Sequence, residues 1–414
     1  MVTRYDVASV RGLYTGLSGG WTYLNAHDVP QIPEKVIAGV SRAFRTSALV
    51  ADQDTPSGTH SAAPQPGRLE GQYYIDSART AVADLVGATA DRVVLGANLP
   101  VLYQALARAI APLLRANSSV VLSKLDPPEL YSAFTEVDAQ VRWAQPDLGT
   151  GEMPAFQFSD LVDGSTRLVS LAAGHELLGT VAPVEEIIDT VNTRSRAWTL
   201  VDISATAGYR PVDIDALGAD ILGVDLGKIG GPQVAALVFR DTRMFKRIDA
   251  LSPGRHGAAK LETPVSTGLA GGVSPLIDHF AALGGEAAGR GSRRRRLIAS
   301  MQLLEPYLDG LRDDLYQFLG TLPAVHILGV TGEAAAGAKE DRLPRLSFAV
   351  NGVPAETVHQ RLFDNRLVTT LAPSTPLLSE MGADEIGGAV TVALAPFNTA
   401  CDVEHLTRVV ASLA

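Results

Sequence analysis

Between residues 90 and 240 the chain alternates short, continuously apolar runs with longer stretches of helical period. The runs are Arg92-Val93-Val94-Leu95, Val120-Val121-Leu122, Arg167-Leu168-Val169-Ser170-Leu171, Trp198-Thr199-Leu200-Val201, Ile221-Leu222-Gly223-Val224 and Val234-Ala235-Ala236-Leu237-Val238-Phe239. Apolar runs without polar alternation predict strands buried on both faces, and the helices between them predict a largely parallel sheet. In such sheets ligands sit beyond the carboxyl ends of the strands, so chemistry is to be sought just after each run. The clearest helix follows the first run, where Leu99, Leu102, Tyr103, Leu106, Ile110, Leu113 and Leu114 keep a 3.6-residue period. Asn98 stands before it as an N-cap and Pro100 suits its first turn. After about residue 286 a long helical stretch leads to Val325-His326-Ile327-Leu328, a loose loop from Thr331 to Asp341, strand-like Leu346-Ser347-Phe348-Ala349-Val350, and a last helix from about Asp402. That order predicts a smaller α+β domain. The stretch Ala51 to Gly67, rich in Pro, Ser, Thr and Gly, reads as a loop, and the chain shows no internal repeat.

At 414 residues the chain is long enough for two domains, and its 46% hydrophobic and 19% charged residues supply a sizeable core. A formal net charge of -10 argues against a nucleic-acid partner, which needs clustered Lys and Arg. The run Arg293-Arg294-Arg295-Arg296 adjoins the helical pattern Leu297, Met301, Leu304 and reads as a solvated helix start. The single cysteine, Cys401, rules out an intramolecular disulfide framework and fits a reducing compartment. The N-terminus lacks the apolar core of a signal peptide and no stretch approaches a membrane span, so the cytoplasm is the expected location and no membrane partner is expected.

Three features could carry chemistry. Lys228 lies just beyond an apolar run, among Gly227, Gly230 and Gly231. A lysine in a partly desolvated cleft can lose its proton and form a Schiff base with an aldehyde, although a lysine near glycines is more often an ordinary loop residue. Asp202 ends the run Trp198-Thr199-Leu200-Val201, where a buried carboxylate needs a partner; a protonated pyridine nitrogen is one, and a capped turn is another. The turn Gly96-Ala97-Asn98 leads into a helix whose free amides favour a phosphate, or simply make an N-cap. No metal-ligand spacing stands out.

Together and in this order, these features resemble the class V aminotransferase and cysteine desulfurase family. Asp202, the segment Pro211-Val212-Asp213-Ile214-Asp215-Ala216-Leu217-Gly218-Ala219-Asp220, and the loop Asp225-Leu226-Gly227-Lys228-Ile229-Gly230-Gly231-Pro232 look like the family's central block. Val94-Leu95-Gly96-Ala97-Asn98 is similar to the phosphate-side turn of the cysteine desulfurase-like branch, and Phe397-Asn398-Thr399 to the family's Tyr-Asn-Thr. Gly179-Thr180-Val181-Ala182-Pro183-Val184-Glu185-Glu186-Ile187 is similar to the helix start that follows the family's cofactor-oxygen asparagine. The resemblance implies an α/β fold of the pyridoxal-phosphate (PLP) dependent transferase type, fold type I. Its mainly parallel sheet would lie in a large domain, residues 25–285, beside a smaller α+β domain of residues 1–24 and 286–414. It further implies PLP as cofactor, Lys228 as the Schiff-base lysine, Asp202 on the ring nitrogen, Ala97 and Asn98 beside the phosphate, an amino-acid-like substrate, and a homodimer.

Several positions depart from the family pattern. Pro127 follows Asp126 where the family stacks a histidine on the ring, Glu176 replaces the ring-oxygen asparagine, and Asp225 replaces a phosphate-binding serine. Gly227 precedes the lysine, Pro264-Val265 replace a Gly-Thr pair, and Thr391 stands where the family has its substrate-carboxylate arginine. Arg342 and Arg366 are the candidate substitutes, each more readily explained as structural or surface residues. No cysteine falls between residues 365 and 385, so a persulfide mechanism is not expected, and Cys401 reads as structural. Two hypotheses follow: a PLP-dependent aminotransferase or desulfurase-like enzyme working through Lys228, or a degenerate relative that keeps the fold, binds cofactor weakly or not at all, and serves in binding or assembly.

Overall fold

Seven strands form the central sheet: β1 (Val93–Gly96), β2 (Ser119–Ser123), β3 (Gln140–Ala144), β4 (Thr166–Ala172), β5 (Trp198–Asp202), β6 (Ile221–Asp225) and β7 (Ala235–Phe239). The computed structural model describes residues 5–51, 67–115, 117–333, 335–337 and 341–413, so most of the Ala51 to Gly67 loop and part of the Thr331 to Asp341 loop lie outside the described residues. The spatial order is β1-β7-β6-β5-β4-β2-β3. The pairs from β6 through to β3 are parallel; β7 alone runs antiparallel to both its neighbours. Six strands therefore present their carboxyl ends on one edge of the sheet.

Each predicted run is a strand, and its residues divide between the two faces by the two-residue period of a pleated strand. Val120 and Leu122 of β2, Leu168 of β4, Leu200 of β5 and Ile221 of β6 pack on one face, against Leu99, Leu102 and Leu106 of α1 (Leu99–Ala109). Val121, Val169, Leu171, Val201, Leu222 and Val224 pack on the other, against Ile187, Ile188 and Val191 of α2 (Val184–Arg194). Such two-sided burial is what makes the runs continuously apolar. Strand β3 lacks that signature because its edge of the sheet is only partly covered, with Gln140 exposed and Val141, Arg142 and Trp143 half buried, whereas β1 at the other edge is fully buried.

The C-terminal part opens with α3 (Arg293–Gly320), capped by the Ser292 hydroxyl, which accepts from the Arg295 amide. Its basic start is not simply solvated. Arg293 donates to Asp84, and Arg294 donates to the Leu85 and Val212 carbonyls, so both side chains are turned inward. A second, antiparallel sheet follows, built from β8 (Val325–Ile327), β9 (Arg345–Val350), β10 (Thr370–Leu371) and β11 (Val390–Ala393) in the order β10-β11-β9-β8. The last helix, α4 (Ala400–Ala411), is started by a capping box between Thr399 and Asp402. The N-terminal segment returns to this region: Thr22 and Tyr23 pair with Leu367 and Val368, and the Tyr5 hydroxyl donates to the Pro396 carbonyl at 2.9 Å. Among the described residues, no helix is long and apolar enough to cross a membrane.

Candidate active site

A cavity of about 430 Å³ opens at the carboxyl edge of the central sheet. Its floor is made by the residues that follow the strands: Lys124 to Asp126 after β2, His175 and Glu176 after β4, Asp202 and Ser204 at β5, and Asp225 and Lys228 at β6. Leu99 and Pro100 at the start of α1 also line it, as do His27, Arg345 and Thr375.

Lys228 is carried on a single turn of 3-10 helix, Leu226–Ile229. The turn begins where the Asp225 carboxylate accepts from the Gly227 amide at 2.9 Å, and ends at Gly230 with φ of +82°. A Cβ at Gly230 would also meet the Gln31 carbonyl oxygen at 2.7 Å, so both backbone geometry and space require glycine there. Held this way, Lys228 Nζ donates to Glu176 Oε2 at 2.9 Å. Burial alone disfavours the ammonium, but the Coulombic attraction and hydrogen bond of Glu176, helped by Asp28 and Asp225, outweigh it and raise the Lys228 pKa. Burial pushes Glu176 the other way too, and Lys228, His175 and Arg345 prevail to keep its pKa low.

Asp202 is buried at the end of β5, and its Oδ1 accepts both the amide (2.9 Å) and the hydroxyl (2.6 Å) of Ser204. Ser204 Oγ in turn accepts from the Asp225 amide at 2.9 Å, which ties the ends of β5 and β6 together. Burial raises the Asp202 pKa to about 6, against the two Ser204 bonds and with added repulsion from Glu176 and Asp225. Asp126, also buried, is pushed up to about 7 by burial, although the Ala172 amide donates to it at 2.8 Å. His175 accepts from the Leu177 and Leu178 amides through Nδ1 and has its pKa lowered to about 4, chiefly by burial, so it is a neutral, structural imidazole.

The cavity thus brings together Lys228 and Asp202. Asn98 and Ala97 stand just outside it, immediately before Leu99 and Pro100; Ala97 is exposed, and the Asn98 side chain accepts from the Val101 amide at 2.9 Å as the cap of α1. Beside that turn Thr263 Oγ1 is buried without a partner, 2.9 Å from where a Cβ on Gly96 would lie. Among the described residues, no three His, Cys, Asp or Glu side chains gather as metal ligands. Neither arginine singled out in the sequence reaches the cavity lining. Arg342 is buried and donates to the Leu178, Thr150 and Gly329 carbonyls, and Arg366 is exposed in a left-handed conformation with φ of +62°. Thr391 is enclosed in the small sheet, with its hydroxyl 2.7 Å from that of Ser347. Instead the cavity receives Arg345, from the strand next to Thr391, and His27, from the N-terminal segment. Neither stood out in the sequence, since both come from segments remote from the strand-end pattern.

The family model described as Aminotransferase class-V matches residues 53–264, just over half of the chain. An uncharacterized protein of Mycobacterium tuberculosis (strain CDC 1551 / Oshkosh), MT3887, is 38% identical over 99% of both chains. The chain belongs to the class-V aminotransferase family. The fold agrees: the cysteine desulfurase CsdA of Escherichia coli superposes with a TM-score of 0.77 over 98% of each chain, at 16% identity. A mutant of C-DES with glycine covalently linked to its PLP cofactor superposes with a TM-score of 0.73, at 17% identity, over 97% of this chain and 98% of that one. The class-V resemblance read from the lysine loop is therefore confirmed as family and as fold, with cysteine desulfurases among the structural neighbours.

Proposed function

We propose that this class-V chain is a PLP-dependent enzyme acting on an amino-acid substrate, by transamination or desulfurase-like C–S cleavage. The observation that carries the reading is the convergence of Lys228 and Asp202 on one cavity at the carboxyl edge of the sheet. The residues present fit the group. The cavity is of cofactor size, both Ser204 bonds fall on Asp202 Oδ1 and leave Oδ2 for a ring N–H, and the orphaned Thr263 hydroxyl lies beside the turn into α1, where a phosphate would be held. When bound, PLP supplies an electron sink for charge developing at the substrate's alpha carbon. Asp202, largely ionised above its raised pKa of about 6, would keep the ring nitrogen protonated. Lys228 must give up a proton before it can meet an aldehyde, and Glu176, 2.9 Å away, opposes that loss by holding the ammonium. As a free amine, Lys228 would be the base that moves a proton at the substrate's alpha carbon.

The same reading includes a homodimer, supported by the apolar side chains Phe44 and Tyr73, which are 60% and 54% exposed on neighbouring helices. It includes a cytoplasmic location, supported by the single cysteine, and the division into residues 25–285 and 1–24 with 286–414, supported by the pairing of Thr22 with Leu367. A second reading, a degenerate relative with weak or no cofactor binding and a role in binding or assembly, is favoured by one observation: Lys228 is engaged by Glu176 as an ammonium. PLP added to the purified protein separates the two. The enzyme reading expects a visible absorbance band that Lys228→Ala abolishes; no lysine-dependent band at saturating PLP removes it and leaves the second.

A further inference from the structure

We propose that the prolines at the opening of the strand-end cavity form a subsite for an apolar side group of the ligand, and turn away a ligand that carries a second carboxylate there. Five residues of the cavity lining are exposed to solvent: Pro128, Pro373 and Pro376, with Lys124 and Glu129. The three prolines come from two segments far apart in the chain, so their meeting at one opening is a product of the fold. Leu130 and Leu377, close to them in the chain and buried, line the same cavity, so the apolar surface continues from solvent to the interior.

This surface is formed before any ligand arrives. Pro128 and Pro376 are the first residues of the helices Pro128–Thr135 and Pro376–Glu380, where the N–H that proline lacks would have no partner within the helix. The Thr375 hydroxyl, also in the lining, caps the second of these helices by accepting from the Leu378 amide at 3.2 Å. A proline ring has almost no rotamer freedom to lose, so it meets an apolar group at little entropic cost.

The charges of the lining set what the side group cannot be. Carboxylates outnumber cations there by five to three. Each cation is moreover engaged by the chain: Lys124 Nζ lies 4.1 Å from the centre of the Trp143 ring, Lys228 donates to Glu176 at 2.9 Å, and Arg345 donates to the Ala205 carbonyl at 3.0 Å. A second carboxylate would lose its hydration and meet net repulsion, whereas an apolar group meets neither cost. That the ligand is an amino acid rests on the proposed PLP-dependent reading; the preference for an apolar side group does not.

The test uses phenylalanine and glutamate as probes, with saturation-transfer NMR on the PLP-free protein. Their alpha amino and carboxyl groups are the same, so the comparison reads the side group. Wild type is expected to bind phenylalanine about tenfold or more tightly than glutamate. Pro128→Ser should weaken phenylalanine by a few-fold, and Pro376→Lys should do the same while tightening glutamate by a similar factor. Both positions are exposed, and a cooperative melting curve checks that each variant is folded. Glutamate binding as tight as phenylalanine, no phenylalanine binding, or phenylalanine affinity unmoved in both folded variants overturns the inference. No cofactor enters this measurement. Proline-dependent phenylalanine binding without a Lys228-dependent PLP band would sustain the inference and sink the enzyme reading, and the converse pair of results would do the opposite.

Discussion

Two groups of residues lining the cavity treat their polar atoms in opposite ways. On the strand-end floor every carboxylate has a donor from the chain itself: Ala172 for Asp126, Ser204 for Asp202, Gly227 for Asp225 and Lys228 for Glu176. Arg345 and His27, which line the same cavity from other segments, keep buried nitrogens without partners. Satisfied groups hold a fold together, whereas orphaned ones cost stability and persist where something else supplies the missing bond. The strand-end carboxylates thus each have a donor within the chain, while the unpartnered nitrogens lie on Arg345 and His27. Substitutions on the floor give the sharpest means of breaking this contrast.

The largest effect is expected at Asp126. Burial first, and then repulsion from Asp202, lift its pKa from 3.8 to about 7 against the Ala172 hydrogen bond. Between those values the folded chain holds a proton that the unfolded chain has released, so stability falls as pH rises through that window and stays reduced above it. Asn at this position still accepts from the Ala172 amide and cannot ionise. The advantage of Asp126→Asn over wild type should grow by about 2 kcal/mol from about pH 5 to about pH 8, a few degrees in melting temperature. A constant difference across that range would mean that the floor does not carry the cost assigned to it.

Next in size is Glu176→Gln. Without the carboxylate, burial is no longer outweighed, so the Lys228 pKa falls and more free amine is present near neutrality. PLP affinity at about pH 7.5 should tighten by about tenfold, and the steep growth of the lysine-dependent band with pH expected of wild type should flatten. An unchanged pH profile in the variant would show that Glu176 is not what keeps Lys228 charged, and the observation favouring the degenerate reading would go with it.

How far the sequence carried depends on whether a residue's surroundings lie next to it in the chain. Strands buried on both faces are legible because their own residues are mostly apolar, while β3 is not, since its partly covered edge carries Gln140 exposed and Arg142 and Trp143 half-exposed. Composition is also silent on direction: β7 is as apolar as its neighbours but runs against them, turning back within the short Lys228 loop that separates it from β6. At the site, Lys228 and Asp202 could be found because each directly follows a strand signal. Arg345 and His27 could not, since they reach the cavity from segments far along the chain, and a lone arginine in an apolar run reads as an edge residue. Arg293 misled for the same reason: its partner Asp84 is 209 residues away.

The smallest effect bears on another acid of the floor, Asp225. Asp225 serves its own loop by accepting from the Gly227 amide, yet it also lines the cavity, and burial raises its pKa despite Gly227 and Lys228. A serine hydroxyl can accept the same amide in a comparable turn, so the lysine loop should survive Asp225→Ser with a loss of about 0.5 kcal/mol. Removing the charge eases a phosphate into the cavity but leaves Glu176, the stronger influence on Lys228, in place. PLP should therefore bind about three-fold more tightly, less than the gain at Glu176. If PLP affinity stays the same while the loop remains intact, Asp225 does not face the phosphate. Any weakness of cofactor binding would then trace to the Lys228 and Glu176 pair alone.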